Sequence, residues 1–211
     1  MSGVFISFEG GEGAGKTTQI KLLAQHLQAQ GSEVVTTREP GGTSGAEAIR
    51  ALILNQESFA FSELTEALLF FAARRDHVEK VINPSLACGA IVICDRFTDS
   101  TFAYQGALGK LASHIMHTLA SLVLGDLQPD LTFVLDIDPK IGLHRAALRR
   151  GNAATDRFES ENLAFHMAIR KQFLEIAKAQ PQRCVVLQAE QDQEVLAKQI
   201  FEHIGQKLGV Q

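Results

Sequence analysis

From Gly10 to Thr18 the chain reads Gly-Gly-Glu-Gly-Ala-Gly-Lys-Thr-Thr, which fills the pattern G-x-x-x-x-G-K-[ST]. The pattern describes a way of holding phosphate. Gly10, Gly11, Gly13 and Gly15 free the backbone to turn its N–H groups inward as a nest for an anion. Glu12 and Ala14 complete the loop, and a helix starting at its end adds a positive N-terminal dipole. Lys16, expected to stand exposed, supplies a point charge for the outer phosphates, and the Thr17 hydroxyl suits a Mg²⁺ ion. The run from Gly10 through Thr18 is a candidate nucleoside triphosphate site.

Other groupings follow downstream. Arg38-Glu-Pro-Gly-Gly-Thr43 closes an apolar run, and Arg50 lies one helix further on. A strand exit accounts for Pro40 through Thr43, with Thr43 capping the next helix. It does not account for Arg38 beside Glu39, nor for Arg50. Around Leu68-Leu-Phe-Phe-Ala-Ala-Arg74-Arg75, residues Leu64, Leu68, Phe71, Val78 and Ile82 keep helical spacing and are expected to form a core face. Phe70 and Arg74 share a neighbouring face. Such a pair could stack a flat base and donate to its carbonyl. Equally, Phe70 could be core and Arg74 solvated.

Asp95-Arg96-Phe97 directly follows the third apolar run. An acidic group there is placed to orient a Mg²⁺ shell, and Arg96 is placed for a substrate phosphate. Ser100, Thr101, Tyr104 and Gln105 can share a helical face just beyond. Asp138-Pro139 reads as a helix start. The polar run Arg149-Arg-Gly-Asn-Ala-Ala-Thr-Asp-Arg157 carries three arginines in an acidic chain. With a phosphate loop elsewhere, it reads as a lid, about residues 145–157, that closes over phosphate. An ordinary solvated loop is the plainer alternative.

The elements that must position these groups follow from the pattern of apolar runs. Strand-like runs at Val4–Phe8, Glu33–Thr37, Ala90–Cys94, Leu131–Leu135 and Cys184–Leu187 are separated by helical patterns, one running to about Ala179. That alternation predicts a parallel sheet with helices on both faces. The 211 residues suit one domain, and 45% apolar content is enough for its core. A net charge of −4 and a pI near 6.0 argue against nucleic acid as a partner. No run approaches the ~18 apolar residues of a membrane span, and no leader pattern is present, so a cytoplasmic location is expected. Cys88, Cys94 and Cys184 are expected to be reduced and buried. The seven histidines form no cluster and are assigned to surface or packing roles.

Five segments together resemble bacterial thymidylate kinases of the P-loop nucleoside monophosphate kinase family. They are Phe8–Gln19, Arg38–Thr43, Leu68–Arg74, Asp95–Phe97 and Ser100–Gly106, and the similarity spans essentially the whole chain. Phe97 departs from the Tyr or His usual there. The resemblance implies a P-loop NTPase fold with a short lid, and transfer of the γ-phosphoryl of ATP, with Mg²⁺, to dTMP. It implies a homodimer. It assigns Gly10–Thr18 to ATP, and Thr17 and Asp95 to the metal. Glu12 would meet the sugar 3′-hydroxyl, Phe70 would stack on thymine, and Arg74, Thr101 and Gln105 would read its polar edge. Tyr104 would crowd the ribose 2′ position. Arg50 and Arg96 would hold the monophosphate, with Arg38, Pro40 and Ser100 completing that site. Lys16, Arg96 and the lid arginines Arg149, Arg150 and Arg157 would offset charge on the transferring phosphoryl, with Arg150 the favoured lid residue. Two rivals remain at this level. A deoxynucleoside kinase of related fold would need a carboxylate base, for which Glu39 is the candidate. A nucleotide-dependent switch would need a guanine-reading Asn-Lys-x-Asp segment, and no Asn-Lys pair occurs in the chain.

Overall fold

A computed structural model describes residues 3–54, 61–108, 111–151 and 157–208. Five strands form one parallel sheet in the order β2-β3-β1-β4-β5: β1 (Val4–Glu9), β2 (Val34–Arg38), β3 (Ile91–Asp95), β4 (Leu131–Asp136) and β5 (Cys184–Gln188). All five expected strands are present, and each ends one residue later than its apolar run, β2 and β3 also starting one residue later. The reason is that ladder pairing outlasts hydrophobicity. Phe8 and Arg38 both pair with Asp95, so the polar residue at each strand's carboxyl end is still held in the sheet. Those ends carry Glu9, Arg38, Asp95 and Asp136, and they open on the crevice where ligands bind in such sheets.

Alternation along β1 divides the core. Ile6 and Phe8 face α1 (Lys16–Ala29) and α9 (Gln193–Leu208), among Leu23, Leu27, Phe133, Leu135 and Ile200. Phe5 faces the other side, where Val92, Cys94 and Phe97 pack with Val78 and Ile82. The second face is covered by α3 (Glu63–His77), α5 (Thr98–Leu108), α6 (Ser113–Leu124) and α8 (Leu163–Ala179). Helix α3 follows α2 (Ser44–Leu54) and runs on through a π-helical turn, Val78–Ile82, into α4 (Asn83–Ala87). Helix α7 (Pro139–Arg150) starts as expected: Asp138 Oδ1 accepts from Lys140 N at 2.8 Å, with Pro139 at its first position.

Two expectations about burial need correction. Leu64 and Leu68 are 43% and 47% exposed, while Phe71, Val78 and Ile82 are buried. The buried stripe of α3 instead runs through Glu66, Ala67, Phe71, Arg74 and His77. It is largely polar because it faces the crevice, so counting apolar residues selects the wrong face. Cys94 and Cys184 are buried, but Cys88 is exposed, since it caps α4 in the turn leading to β3.

Candidate active site

A cavity of about 320 Å³ lies at the carboxyl ends of the strands. It brings together the phosphate loop from Glu12 through Thr17, then Arg38, Pro40 and Arg50, then Phe70 and Arg74, then Asp95 and Arg96, and finally Ser100, Thr101, Tyr104, Gln105 and Arg149. Gly10 and Gly11 line a smaller neighbouring cavity against β4 and α7. Thr18 is exposed on the first turn of α1 and lines neither cavity.

The loop takes its shape from close packing. A Cβ on Gly13 would lie 2.0 Å from the Gly142 carbonyl oxygen, and a Cβ on Gly142 would lie 2.3 Å from the Glu12 carbonyl oxygen. The loop therefore rests directly on α7, and Gly13 also adopts φ 67°. Lys16 is not exposed as expected. It is 8% exposed, and its ammonium donates to the carbonyls of Gly10 (3.1 Å) and Gly11 (3.0 Å). Burial is the largest influence on it, and with nearby Arg96 it outweighs Glu12, Asp95 and Glu9, bringing the Lys16 pKa down to about 8. The Thr17 hydroxyl donates to Asp95 Oδ2 at 3.0 Å.

Arg96 is the one non-glycine residue with positive φ among those described, at 68°. That conformation costs on the order of 1–3 kcal/mol and persists only where the surroundings fix it. Here the Arg96 backbone N–H donates to Phe8 O at 2.9 Å. Its guanidinium reaches Glu12 Oε1 (2.7 Å), the Gly10 carbonyl (3.0 Å) and Ser100 Oγ (3.1 Å), and lies over the Tyr104 ring. The Tyr104 hydroxyl donates to the same Glu12 oxygen at 2.9 Å. Burial resists ionisation of Glu12, but Arg96, Lys16 and the Tyr104 hydrogen bond prevail and hold its pKa down to about 2. Beneath them Glu9 is fully buried, accepting from Phe97 N (2.8 Å) and Ser100 Oγ (2.5 Å). Burial, reinforced by Asp99, pushes its pKa up to about 8.

The open question over Phe70 and Arg74 has a mixed answer. Phe70 is half-buried and lines the cavity, while Arg74 is only 3% exposed. Arg74 is held on every side but one. Its Nε donates to Glu39 Oε2 (2.7 Å), and its Nη2 donates to Thr101 Oγ1 (2.9 Å) and Phe97 O (3.1 Å). Its Nη1 is buried and has no hydrogen-bond partner among the described residues, and the same holds for Gln105 Oε1. Gln105 Nε2 meanwhile donates to Glu66 Oε1 at 3.0 Å.

The arginines sit differently from one another. Arg38 is paired with Glu47 at the rim, and Arg50 Nη1 donates to the Pro40 carbonyl at 2.7 Å. Arg149 lines the cavity, whereas Arg150 pairs with Glu159 and Arg157 with Glu66. Residues 152–156 of the expected lid lie outside the described residues. Thr43 caps α2 as expected, accepting from Ala46 N at 3.0 Å.

Three residues of the site carry no motif of their own. Glu66 and His77 are buried on α3, His77 against Glu39 of the Arg38–Thr43 segment, and Gly142 lies under the loop. His77 is fully buried, with Nδ1 on Glu39 Oε1 (2.9 Å) and Nε2 on Thr37 Oγ1 (2.7 Å). Its role is therefore a specific polar contact rather than general packing. Buried polar groups are seldom signalled in sequence, except where an acidic residue interrupts a stretch that must face inward.

Known proteins carry the same organisation. The family model described as thymidylate kinase matches residues 8–200. A thymidylate kinase of Caulobacter vibrioides is 52% identical over 208 residues, covering 99% of both chains. One from Afipia carboxidovorans is 50% identical over 206 residues, covering 98% of this chain and 90% of the relative. A crystal structure of thymidylate kinase from Ehrlichia chaffeensis superposes with a TM-score of 0.78 at 35% identity, covering 97% of this chain and all of that one. With the phosphate loop, the crevice and every matched segment in place along its length, this chain belongs to the thymidylate kinase family.

Proposed function

We propose that the chain transfers the γ-phosphoryl group of ATP to dTMP, giving dTDP and ADP. The observation that carries this reading is a pair of unpartnered buried atoms on residues that line the cavity with Phe70, a donor on Arg74 Nη1 and an acceptor on Gln105 Oε1. Thymine offers a carbonyl next to an N–H along one edge, the complement of that pair. Phe70 supplies a face for the ring to stack on.

In this reading the phosphate loop and Lys16 hold the ATP phosphates, and Arg50 and Arg96 hold the acceptor phosphate, with Arg38 at the rim. An oxygen of the acceptor phosphate attacks the γ-phosphorus, and the bond to the bridging oxygen of ADP breaks. The monoester has a second pKa of about 6, so it is a dianion at neutral pH and needs no general base. What remains is alignment and positive charge. Lys16, Arg96 and Arg149 are among the cations that line this cavity. Thr17 and Asp95 offer hard oxygen donors 3.0 Å apart, a set that fits Mg²⁺ shared with nucleotide phosphates. When bound, the metal would neutralise phosphate charge. Glu12 meets the sugar 3′-hydroxyl, and Tyr104 fills the space beside the sugar.

The deoxynucleoside kinase alternative is not favoured. Its base would be Glu39, yet both Glu39 oxygens are already engaged, one by Arg74 and the other by His77. We further infer a homodimer, supported by Leu64 and Leu68 on α3 and Leu122 on α6, large apolar side chains left exposed on neighbouring helices. Light scattering checks this: two chains per particle are expected, and a monomer in the parent protein contradicts it.

An ADP-release assay with thymidine and each nucleoside monophosphate as acceptor tests the activity. dTMP is expected to be used best and thymidine not at all. Turnover with thymidine but not dTMP would overturn the reading.

A further inference from the structure

We propose that Glu66 is a specificity-determining residue that acts through Gln105: its carboxylate fixes the Gln105 amide in one orientation, so that the base meets an acceptor beside the Arg74 donor. This rests on the acceptor reading given above. Glu66 is a positioning residue, since it is Gln105 and Arg74 that line the cavity.

A glutamine side chain is nearly symmetric in shape at its end. Its amide oxygen and nitrogen are nearly the same size, so packing alone scarcely distinguishes two orientations that differ by a half-turn. The two orientations present opposite polarity to a ligand. At position 105 the ambiguity is removed by chemistry. Gln105 is 1% exposed and Glu66 is 1% exposed, and Gln105 Nε2 donates to Glu66 Oε1 at 3.0 Å. A carboxylate only accepts. Turning the amide over would press its oxygen against the Glu66 oxygen, away from water, where an unmet polar group is costly. Glu66 is itself held, because its Oε2 accepts from Arg157 Nη1 at 2.5 Å. Arg157 offers only donors, so Glu66 meets both neighbours as an acceptor.

The consequence is a fixed reading frame. With Nε2 committed to Glu66, Gln105 Oε1 is left buried without a partner. Arg74 needs no such lock, since a guanidinium donates whichever way it turns, and its Nη1 is likewise unpartnered. Together they present donor beside acceptor. A pyrimidine with a ring carbonyl next to N3–H matches that order. Cytosine has an amino group next to a bare N3, the reverse order, and it leaves buried polar groups facing their own kind. Such mismatches discriminate far more strongly than a missing methyl does. The choice between the two base classes is thus set in part by a carboxylate that never meets the base.

The test is Glu66→Gln, which keeps shape but removes the rule that its partner must donate. The ratio of kcat/KM for dTMP to that for dCMP is expected to fall by at least about tenfold, the scale of one hydrogen bond to a charged group. The ratio of dTMP to dUMP, which share the same edge, is expected to stay within about twofold. In a Gln105→Ala background the same Glu66 substitution is expected to leave the dTMP to dCMP ratio unchanged within about twofold. A second measurement does not depend on the variant folding. In the ligand-free parent protein, labelled with ¹⁵N, one Gln105 amide proton is expected to be shifted downfield and slow to exchange. An unchanged dTMP to dCMP ratio in Glu66→Gln, an equal loss of the dTMP to dUMP ratio, or a freely exchanging Gln105 amide overturns the proposal. Failure of the parent protein to use dTMP would overturn the acceptor reading instead, and the amide measurement, made without substrate, tells the two apart.

Discussion

Lys16 shows how far a single residue's surroundings can change its chemistry. In solution a lysine is charged at any ordinary pH, but burial within the phosphate loop, together with Arg96 nearby, lowers its pKa to about 8. The charge is what attracts phosphate, so ATP affinity is expected to fall as pH rises through about 8, with proton uptake on binding above that pH. Calorimetry in buffers of different ionisation enthalpy measures that uptake. Lys16→Ala is expected to abolish the uptake and to cost roughly 10²-fold or more in turnover, the scale of removing one charge-stabilising donor from a transferring group. Near-normal turnover in that variant would contradict the role given to the loop. The lysine itself was legible from its motif, but its burial was not. Burial comes from contacts with Gly10 and Gly11 that the spacing alone does not reveal.

Among the elements, α7 matters to the site through one position. Gly142 lies inside α7, where alanine would ordinarily be favoured by about 1 kcal/mol. A Cβ there would stand 2.3 Å from the Glu12 carbonyl oxygen, a backbone atom that cannot yield without moving the loop. Overpacking of that kind costs about 1–3 kcal/mol and exceeds the propensity gain. Gly142→Ala is therefore expected to lower Tm by a few degrees and to raise KM for ATP severalfold, checked by thermal melts and steady-state kinetics. A Tm at or above the parent's would mean that the loop does not rest on α7 as described. The strands were the most legible elements, since each apolar run marks one. Helix α3 was the least legible. Glu66, Arg74 and His77 face inward on it, so the apolar stripe through Leu64 and Leu68 pointed to the wrong face.

At the scale of the whole molecule, the sheet order places β1 and β3 side by side, so the loop after β1 and the Asp95-Arg96 pair after β3 converge on one crevice. Most of the residues that line it could be named from short local segments, Phe70 and Arg74 well along α3 among them. The contacts behind them could not. Glu39 and Arg74 are 35 positions apart, and Glu66 and Gln105 are 39 apart. Only the folded arrangement of β2, α3 and α5 brings them into contact. The family resemblance reached Arg74 and Gln105 because its motifs are local, but it carried no information about which buried groups hold them.

The central claim is that this crevice has two halves, one for ATP phosphates and one that reads the acceptor's base. Steady-state kinetics of Arg74→Ala with both substrates varied tests it most directly. Arg74 stands in the base-reading half, so losing its charged hydrogen bonds is expected to lower kcat/KM for dTMP by roughly 10- to 100-fold. KM for ATP is expected to stay within about twofold of the parent value. Equal losses for ATP and dTMP would contradict the division of the crevice and make Arg74 a support of the fold.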